Sequence, residues 1–266
     1  MADFQERFGQ WALVAGAAEG IGAAYCEELA KKRMNVILVD LNEKGMESLS
    51  KELETRYKID TICLVCDLSE DNAPDLCMKM IRETGCRLLI YNAAYSRVKP
   101  FLKNEYSELD LYINVNTRTP LKLVHLFSAE LRKKNLKGGI LLMSSLAGMY
   151  GTSLVAAYSG TKGFNLMLAE ALSHELKPFG IEVSTCCAGA TATPGYLGSN
   201  PSSGLISPPV MKPSKVAHIA LNKLGKKTVI IPGLANKLSY FMLVRLFPRS
   251  ISAILVNKTM NKTYRL

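Results

Sequence analysis

Short runs of consecutive apolar residues recur along the 266-residue chain, and longer amphipathic stretches separate them. Strands that are covered on both faces have this continuous apolar composition, whereas strands with one solvated face alternate apolar and polar residues. Repeated strand–helix–strand units place successive strands parallel to one another. The pattern therefore predicts an α/β fold, a doubly wound parallel sheet of about seven strands with helices on both faces.

The apolar runs define the expected elements. Strands are predicted at residues 11–15, 35–40, 61–66, 88–91, 140–144, 181–187 and 228–231, and helices near 20–33, 43–57, 73–84, 107–135, 155–177 and 214–224. Neither an internal repeat nor a hydrophilic linker divides the sequence, so we expect residues 1–266 to form a single Rossmann-type domain. Residues 194–213 are dense in Pro, Gly and Ser, and a long loop of this kind is often a functional lid.

Basic charge is concentrated at the C-terminal end. The formal charge is +10, yet residues 1–182 hold 22 basic and 23 acidic residues, whereas residues 183–266 hold 11 basic residues and no acidic residue. Residues 234–266 form a basic, apolar extension. We expect it to cover the substrate pocket or a subunit interface, or to lie on an anionic membrane surface as a peripheral contact. Nucleic-acid binding is not expected, because no recognition motif accompanies the charge.

The N-terminal residues lack the pattern of a signal peptide, and we expect a cytoplasmic protein with reduced thiols. Seven cysteines have no disulfide-framework spacing. Cys63 and Cys66 form a C-x-x-C within one predicted strand, where residues three apart point to opposite faces. The three histidines, His125, His174 and His218, form no cluster in the sequence, so no catalytic metal is predicted.

Residues 15–22, with the sequence AGAAEGIG, follow the first predicted strand and open the first helix. Glycine permits a tight turn and a close backbone approach, and a helix N-terminus attracts a pyrophosphate. Asp40 ends the second strand, about where a dinucleotide-binding fold places the carboxylate for the adenosine ribose. A dinucleotide site is the favoured interpretation; a purely structural turn and a solvated Asp40 are the alternatives.

Asp40 favours NAD over NADP as the cofactor. A carboxylate here would face the 2′-phosphate of NADP, and two like charges about 4 Å apart repel by roughly 4 kcal/mol at an effective dielectric constant near 20. Leu41 and Asn42 follow Asp40, and Glu19 lies in the glycine turn, so no Arg or Lys flanks the carboxylate to compensate.

Tyr158 and Lys162 are four residues apart in a predicted helix and so share one face. A Tyr hydroxyl, with a reference pKa of about 10, is a poor base near pH 7. A nearby ammonium, together with an oxidised nicotinamide, would bring that pKa towards working pH. Ser145 ends a predicted strand, at the edge of the sheet where ligands bind. A Tyr–Lys pair alone also occurs as surface decoration, but its coincidence with Ser145 and the glycine turn favours an active site.

The glycine turn, Asp40, Ser145 and the Tyr158–Lys162 pair follow one another along the chain as the corresponding motifs do in the short-chain dehydrogenase/reductase family. The resemblance covers about residues 10–195. Ala15, Ala94 and Ala188 depart from the family pattern, where Thr, Gly and Pro are common. The resemblance implies four catalytic residues, Asn116, Ser145, Tyr158 and Lys162. It implies cofactor contacts at Gly16, Glu19, Gly20, Ile21, Gly22, Asp40, Leu41, Asp67, Leu68, Asn92, Ala93, Ala94, Tyr158, Lys162, Gly189, Thr191 and Thr193.

The resemblance also implies a mechanism, in which hydride moves between a nicotinamide and a carbinol or carbonyl carbon. Tyr158 would transfer the proton as general acid or base, and Lys162 would lower its pKa and bind the nicotinamide ribose. Ser145 would donate to the substrate oxygen, and Asn116 would hold a water in the proton path. A homodimer or homotetramer, paired through the long helices near 107–135 and 155–177, is expected.

The substrate residues are expected in apolar and aromatic segments, which disfavours a small anionic acid. The candidates are Tyr95, Ser145, Tyr150, Tyr158 and Tyr196. Residues 8–11 and 191–194 resemble bacterial hydroxysteroid dehydrogenases, so a hydrophobic secondary alcohol or its ketone is predicted, a steroid or bile acid first. A 3-oxoacyl thioester is the alternative substrate. A non-catalytic dinucleotide-binding regulatory protein and an epimerase or dehydratase are the alternative classes; the complete set of four catalytic residues argues against the first.

Overall fold

Seven parallel strands form one sheet in the order β3-β2-β1-β4-β5-β6-β7, in a computed structural model that describes residues 2–201 and 209–264. The strands are β1 (Trp11–Ala15), β2 (Asn35–Asp40), β3 (Thr61–Val65), β4 (Leu88–Tyr91), β5 (Gly138–Ser145), β6 (Ile181–Ala188) and β7 (Val229–Ile230). The predicted doubly wound Rossmann-type fold is confirmed. The strand order reverses between β1 and β4, and ligands of such sheets bind at the carboxyl ends of the strands beside this point.

Helices cover both faces of the sheet. They are α1 (Ala2–Phe8), α2 (Gly20–Lys31), α3 (Glu43–Tyr57), α4 (Ala73–Thr84), α5 (Tyr106–Ile113), α6 (Thr119–Lys133), α7 (Ala156–Glu175), α8 (Pro194–Gly198), α9 (Pro213–Lys223), α10 (Leu234–Phe241) and α11 (Arg249–Thr263). One buried cluster joins the sheet to α1, α2, α3 and α9, and the other joins it to α4, α6 and α7.

Strand β1 shows why the apolar runs are continuous. Ala12 and Val14 pack in the first cluster, whereas Leu13 and Ala15 pack in the second. All four side chains are fully buried. Successive side chains of a strand point to opposite faces, so a sheet covered on both sides needs an apolar residue at every position.

The helix predicted near 107–135 is interrupted. A π-helical turn at Asn114–Arg118 separates α5 from α6. Pro120 has no backbone N–H to donate to the carbonyl four residues earlier, and this loss favours a local change of helical pitch. The predicted helix is therefore two helices joined at this turn.

Further differences lie at the ends of the chain. Helix α1 was not predicted, and the basic extension contains α10, a second π-helical turn at Met242–Leu246, and α11. The predicted lid begins with α8, and its residues 202–208 lie outside the described residues. No helix within residues 2–201 and 209–264 is long and apolar enough to cross a membrane.

Candidate active site

The glycine turn after β1 is packed tightly between two other loops. Gly16 (φ +77°) and Gly20 (φ +59°) adopt left-handed backbone conformations that favour glycine. A Cβ on Gly16 would lie 2.7 Å from the backbone nitrogen of Ala93, and one on Gly20 would lie 3.0 Å from Cγ2 of Thr193. The turn, the segment after β4 and the segment after β6 therefore meet at one place.

Hydrogen bonds fix this turn and leave the start of α2 open. The Asn92 side chain donates to the Gly16 carbonyl at 2.8 Å, and its backbone N–H donates to the carbonyl of Ala15 at 3.0 Å. A Cβ on Gly22 would overlap the Gly16 carbonyl oxygen. Glu19 at the N-cap of α2 makes no capping hydrogen bond with its side chain, so that side chain satisfies none of the first N–H groups of the helix. A glycine cradle before uncapped N–H groups fits a dinucleotide pyrophosphate.

Asp40 connects the end of β2 to the same turn. One carboxylate oxygen accepts from the backbone N–H of Ala18 at 3.0 Å, and the other accepts from that of Asn42 at 3.0 Å. The side chain of Leu41 is 63% exposed beside it. The carboxylate thus lies where the sequence places the adenosine ribose.

The remaining predicted cofactor residues lie along the same edge. Asp67 accepts from the backbone N–H and the hydroxyl of Ser69 at 2.8 and 2.7 Å, and Leu68 is buried. Ile21 packs against the core beneath the turn, whereas Ala94 is exposed after β4.

Asn116 is fully buried in the π-helical turn. Its side chain accepts from the backbone N–H of Tyr95 at 2.7 Å and donates to the hydroxyl of Thr161 at 3.1 Å. Because Pro120 cannot donate to it, the Asn116 carbonyl accepts instead from the Asn165 side chain at 3.0 Å. The turn thereby ties Asn116 to the helix that carries Tyr158.

Ser145 ends β5, and Tyr158 and Lys162 lie one turn apart on α7. The Ser145 hydroxyl donates to the Ala188 carbonyl at 3.4 Å and accepts from the backbone N–H of Ala147 at 3.2 Å, and it lies close enough to Tyr158 to affect the pKa of that phenol. Lys162 is buried, and its Nζ lies 5.5 Å from the centre of the Tyr158 ring and donates to the Met143 carbonyl at 2.9 Å. The serine, tyrosine and lysine are therefore brought together at the carboxyl edge of the sheet.

From the sequence, we expect Lys162, together with an oxidised nicotinamide, to lower the pKa of Tyr158. In the protein without a cofactor, the pKa of Tyr158 is raised instead. Burial raises the pKa of Tyr158 to about 12, although the Ser145 hydroxyl acts to lower it. Burial also lowers the pKa of Lys162 to about 8. Removal from water disfavours the charged form of both groups. The phenol is therefore protonated at neutral pH, and positive charge bound beside it would be needed to lower its pKa towards working pH.

The segment after β6 is held by a residue that the sequence did not indicate. A Cβ on Gly189 would lie 2.7 Å from the amide of Asn236, which is buried on α10. Thr191 donates to the Gly189 carbonyl at 2.9 Å and forms a bridge with Met211. Thr193 caps α8, accepting from a backbone N–H at 3.2 Å. Asn236 of the C-terminal extension therefore packs against the segment after β6. Ala188 begins this segment, at a position where Pro is common in the family.

The three other aromatic substrate candidates have defined surroundings. The Tyr95 hydroxyl donates to Glu108 at 2.9 Å, next to Asn116. The Tyr150 hydroxyl donates to the carbonyl of Leu243 in the C-terminal extension. Tyr196 is half-buried on α8. Their contact with substrate remains a prediction.

Sequence reasoning missed three residues that support the site, Thr161, Asn165 and Asn236. Asn165 had one usable signal, because Pro120 leaves the carbonyl of Asn116 without its helical donor. Asn236 had none, since its partner Gly189 is 47 positions away in the chain. Within the described ranges, no group of three His, Cys, Asp or Glu residues is arranged to hold a metal ion.

The chain is similar to known oxidoreductases along most of its length. A family model described as short chain dehydrogenase matches residues 10–201. A 7β-hydroxysteroid dehydrogenase of Clostridium sardiniense is 30% identical over 235 residues, which cover 88% of this chain and 90% of that protein. A very-long-chain 3-oxoacyl-CoA reductase of Meyerozyma guilliermondii is 35% identical over 195 residues, or 68% of this chain and 56% of that one. The chain belongs to the short-chain dehydrogenase/reductase family of oxidoreductases, as its motifs predicted.

Solved structures extend this similarity to the fold as a whole. A structure from a study of 7β-hydroxysteroid dehydrogenase stereoselectivity superposes with a TM-score of 0.86 at 26% identity, over 95% of this chain and 98% of that one. A short-chain dehydrogenase from Sphingobium yanoikuyae in complex with NADPH superposes with a TM-score of 0.77 at 25% identity, over 84% and 88% of the two chains. The predicted resemblance to bacterial hydroxysteroid dehydrogenases is confirmed.

Proposed function

We propose that the protein is an NAD(H)-dependent oxidoreductase that interconverts a hydrophobic secondary alcohol and its ketone, with a hydroxysteroid or bile acid as the leading substrate class. The observation that carries the proposal is the contact of Ser145, Tyr158 and Lys162 at the sheet edge that also carries the glycine turn. This arrangement places a proton donor and a hydrogen-bond donor where ligands of such folds bind.

The cofactor residues provide a phosphate cradle at Gly16–Gly22 and a carboxylate at Asp40. When bound, a nicotinamide dinucleotide supplies the hydride donor or acceptor. The uncapped N–H groups of α2 would hold its pyrophosphate, and Asp40 would hold the adenosine ribose. Gly189, Thr191 and Thr193 would contact its carboxamide.

Tyr158 would give its proton to the carbonyl oxygen during ketone reduction and take it back during alcohol oxidation. The phenol is protonated at neutral pH, as proton donation to a ketone requires, while burial disfavours the phenolate that the transfer leaves. Ser145 would donate a hydrogen bond to the same oxygen, where negative charge develops.

Lys162 and Asn116 would support the proton transfer. A charged Lys162 beside the Tyr158 ring would favour the phenolate that forms after transfer. Its depressed pKa of about 8 lets the amine exchange its proton near neutral pH. Asn116 would hold a water that continues the path from Lys162 to solvent.

The substrate class rests on apolar surroundings and on likeness. A relative whose name specifies 7β-hydroxysteroid dehydrogenase matches 88% of this chain, and the structure from the study of 7β-hydroxysteroid dehydrogenase stereoselectivity covers 95% of it. A 3-oxoacyl thioester is the second candidate, because the fungal 3-oxoacyl-CoA reductase has higher identity over a shorter stretch. Asp40, without a neighbouring cation in the sequence, supports NAD(H) rather than NADP(H), although a structural relative binds NADPH.

The proposal includes a cytoplasmic homo-oligomer. All seven cysteines are free thiols, in keeping with a reducing compartment. Apolar side chains on α5, α6 and α7 are exposed and would pack against a second subunit.

Initial rates of cofactor oxidation test the proposal directly. A 7-oxo bile acid, a 3-oxosteroid and an acetoacetyl thioester would each be supplied with NADH and with NADPH. We expect the highest kcat/KM for a steroid or bile-acid ketone with NADH. A preference for the thioester would favour the second candidate, a preference for NADPH would contradict the role of Asp40, and no turnover of any ketone would contradict the enzyme class proposed.

A further inference from the structure

The C-terminal helices expose apolar side chains and bury polar ones. Leu234 and Leu238 on α10 are 82% and 61% exposed, whereas Asn236 between them is buried. On α11, Ile254 is exposed and Ser252 is buried. We call the outward side the C-terminal surface; its exposed apolar residues are Leu234, Leu238, Phe241, Met242, Val244, Leu246, Ile251, Ile254 and Leu255.

The segment that carries the C-terminal surface is docked on the body of the protein. Asn257 accepts from the backbone N–H of Ser153 at 2.6 Å, and the Tyr150 hydroxyl donates to Leu243. Ser252 donates to the same Leu243 carbonyl at 2.6 Å. These polar groups contribute to the inward contacts, and the apolar residues of the C-terminal surface remain exposed. A fixed apolar face of this size marks a surface that meets an apolar partner.

The C-terminal surface is also basic. Lys237, Arg245 and Arg249 lie among its apolar residues, and none of them forms a salt bridge within the described part of the chain, where the ion pairs lie between residues 7 and 218. No acidic residue follows Glu182 in the sequence. The partner that matches this surface is therefore both apolar and negatively charged.

Charge and apolar character together distinguish three partners for the C-terminal surface: a second copy of the chain, a nucleic acid and an anionic bilayer. If a second copy docked symmetrically through the same surface, basic residues would meet basic residues, since a two-fold interface pairs a patch with itself. A nucleic acid would match the charge but would leave the apolar side chains in contact with water. An anionic lipid bilayer offers acyl chains below a layer of phosphate groups, and basic residues near such a surface each favour binding.

We propose that the C-terminal surface binds the face of an anionic membrane as a peripheral contact. The apolar residues of α10 and α11 would enter the boundary between headgroups and acyl chains. The surface lies on the segment that holds Gly189 and Tyr150, so the candidate active site would open near the lipid. This inference rests on exposure and charge and holds whether or not the proposed substrate class is correct.

Co-sedimentation of the full chain with vesicles tests the proposal. Vesicles of phosphatidylglycerol and phosphatidylcholine in equal parts would be compared with pure phosphatidylcholine, at low and at physiological ionic strength. We expect binding to the anionic vesicles only, weakened by salt. The double substitution Lys237→Glu with Arg245→Glu should weaken partitioning by at least about 25-fold, because each basic residue near an anionic surface contributes about fivefold.

Two further variants make the test specific. Leu238→Ser with Phe241→Ser should also reduce binding by at least about tenfold, because it removes buried apolar area at the bilayer. Lys51→Glu with Lys79→Glu is the matched control; it makes the same change in net charge at exposed positions on α3 and α4 and should bind like the wild type. Sedimentation velocity and unfolding curves on every variant confirm that each remains folded.

Several outcomes would overturn the proposal. Absence of vesicle binding at both salt concentrations would do so, as would equal binding to neutral vesicles. An equal loss of vesicle binding in the control variant Lys51→Glu with Lys79→Glu would show that binding depends on net charge and not on the C-terminal surface. A wild-type oligomer that dissociates on Leu238→Ser with Phe241→Ser, without vesicle binding, would show that a second copy occupies the surface.

Discussion

At the scale of residues, the candidate site depends on buried Lys162 and partly buried Tyr158, and the pKa of each is shifted in the direction that favours its neutral form. Burial raises the pKa of Tyr158 to about 12 and lowers that of Lys162 to about 8. The sequence predicted both residues and their shared helix face from their spacing. It did not predict the direction of the Tyr158 shift, because four-residue spacing says nothing about how much of the site is removed from water.

The Lys162 pKa predicts how stability changes with pH. An unfolded Lys holds its proton to about pH 10.5, whereas native Lys162 releases it near pH 8, so in this window the unfolded state binds more protons. The free energy of unfolding of the wild type should therefore rise from pH 7 to pH 10, by about 2 kcal/mol relative to Lys162→Met. Urea unfolding of the wild type and of Lys162→Met, both without nucleotide, measures this difference. The other titrating groups are the same in both proteins, so their contributions to the free energy of unfolding cancel. A difference that stays constant with pH would contradict the depressed pKa.

At the scale of elements, the sheet was predictable because its strands are covered on both faces. Strands β1, β2 and β4 match the predicted bounds, and the other four differ at each end by two residues or fewer. The long helix predicted near 107–135 was wrong in one respect, because its periodicity continues through Pro120 while the helix changes pitch there. The packing of α10 was not predictable, since Asn236 and Gly189 meet only through the tertiary fold.

The glycine turn gives a prediction for α2. A Cβ on Gly22 would overlap the Gly16 carbonyl, so Gly22→Ala should push the start of α2 out of the cradle and weaken NADH binding by at least about tenfold. The matched control is Gly160→Ala on α7, where an added Cβ has no neighbour within 4 Å. This control should stabilise the helix by up to about 1 kcal/mol. Fluorescence titration with NADH compares them, and unchanged affinity in folded Gly22→Ala would contradict the cradle.

At the scale of the whole molecule, two exposed apolar surfaces lie on different elements and suit different partners. The C-terminal surface is basic and apolar, whereas the side formed by α5, α6 and α7 exposes Ile113, Leu121, Phe164 and Met167. Helices α5 and α7 contact each other. The family resemblance predicted pairing through these helices, and the exposed side chains support that proposal.

Met167 tests the pairing of subunits. It is 71% exposed, so Met167→Asp should leave the fold intact while placing a charge in the proposed subunit interface. Sedimentation velocity should show a smaller species than the wild type. The C-terminal variant Leu238→Ser with Phe241→Ser should keep the wild-type assembly, because its substitutions lie on the other surface. An unchanged sedimentation coefficient for Met167→Asp would place the subunit contact elsewhere.

Tyr158 carries the central claim, that its phenol supplies the proton to the substrate oxygen. The most direct measurement is the rate of NADH oxidation in a single turnover of Tyr158→Phe with the best ketone substrate, alongside NADH affinity by fluorescence. We expect near-unchanged affinity and a rate lowered by at least about 10²-fold, while Tyr106→Phe, at an exposed position, behaves as the wild type. Turnover by Tyr158→Phe at the wild-type rate would contradict the account.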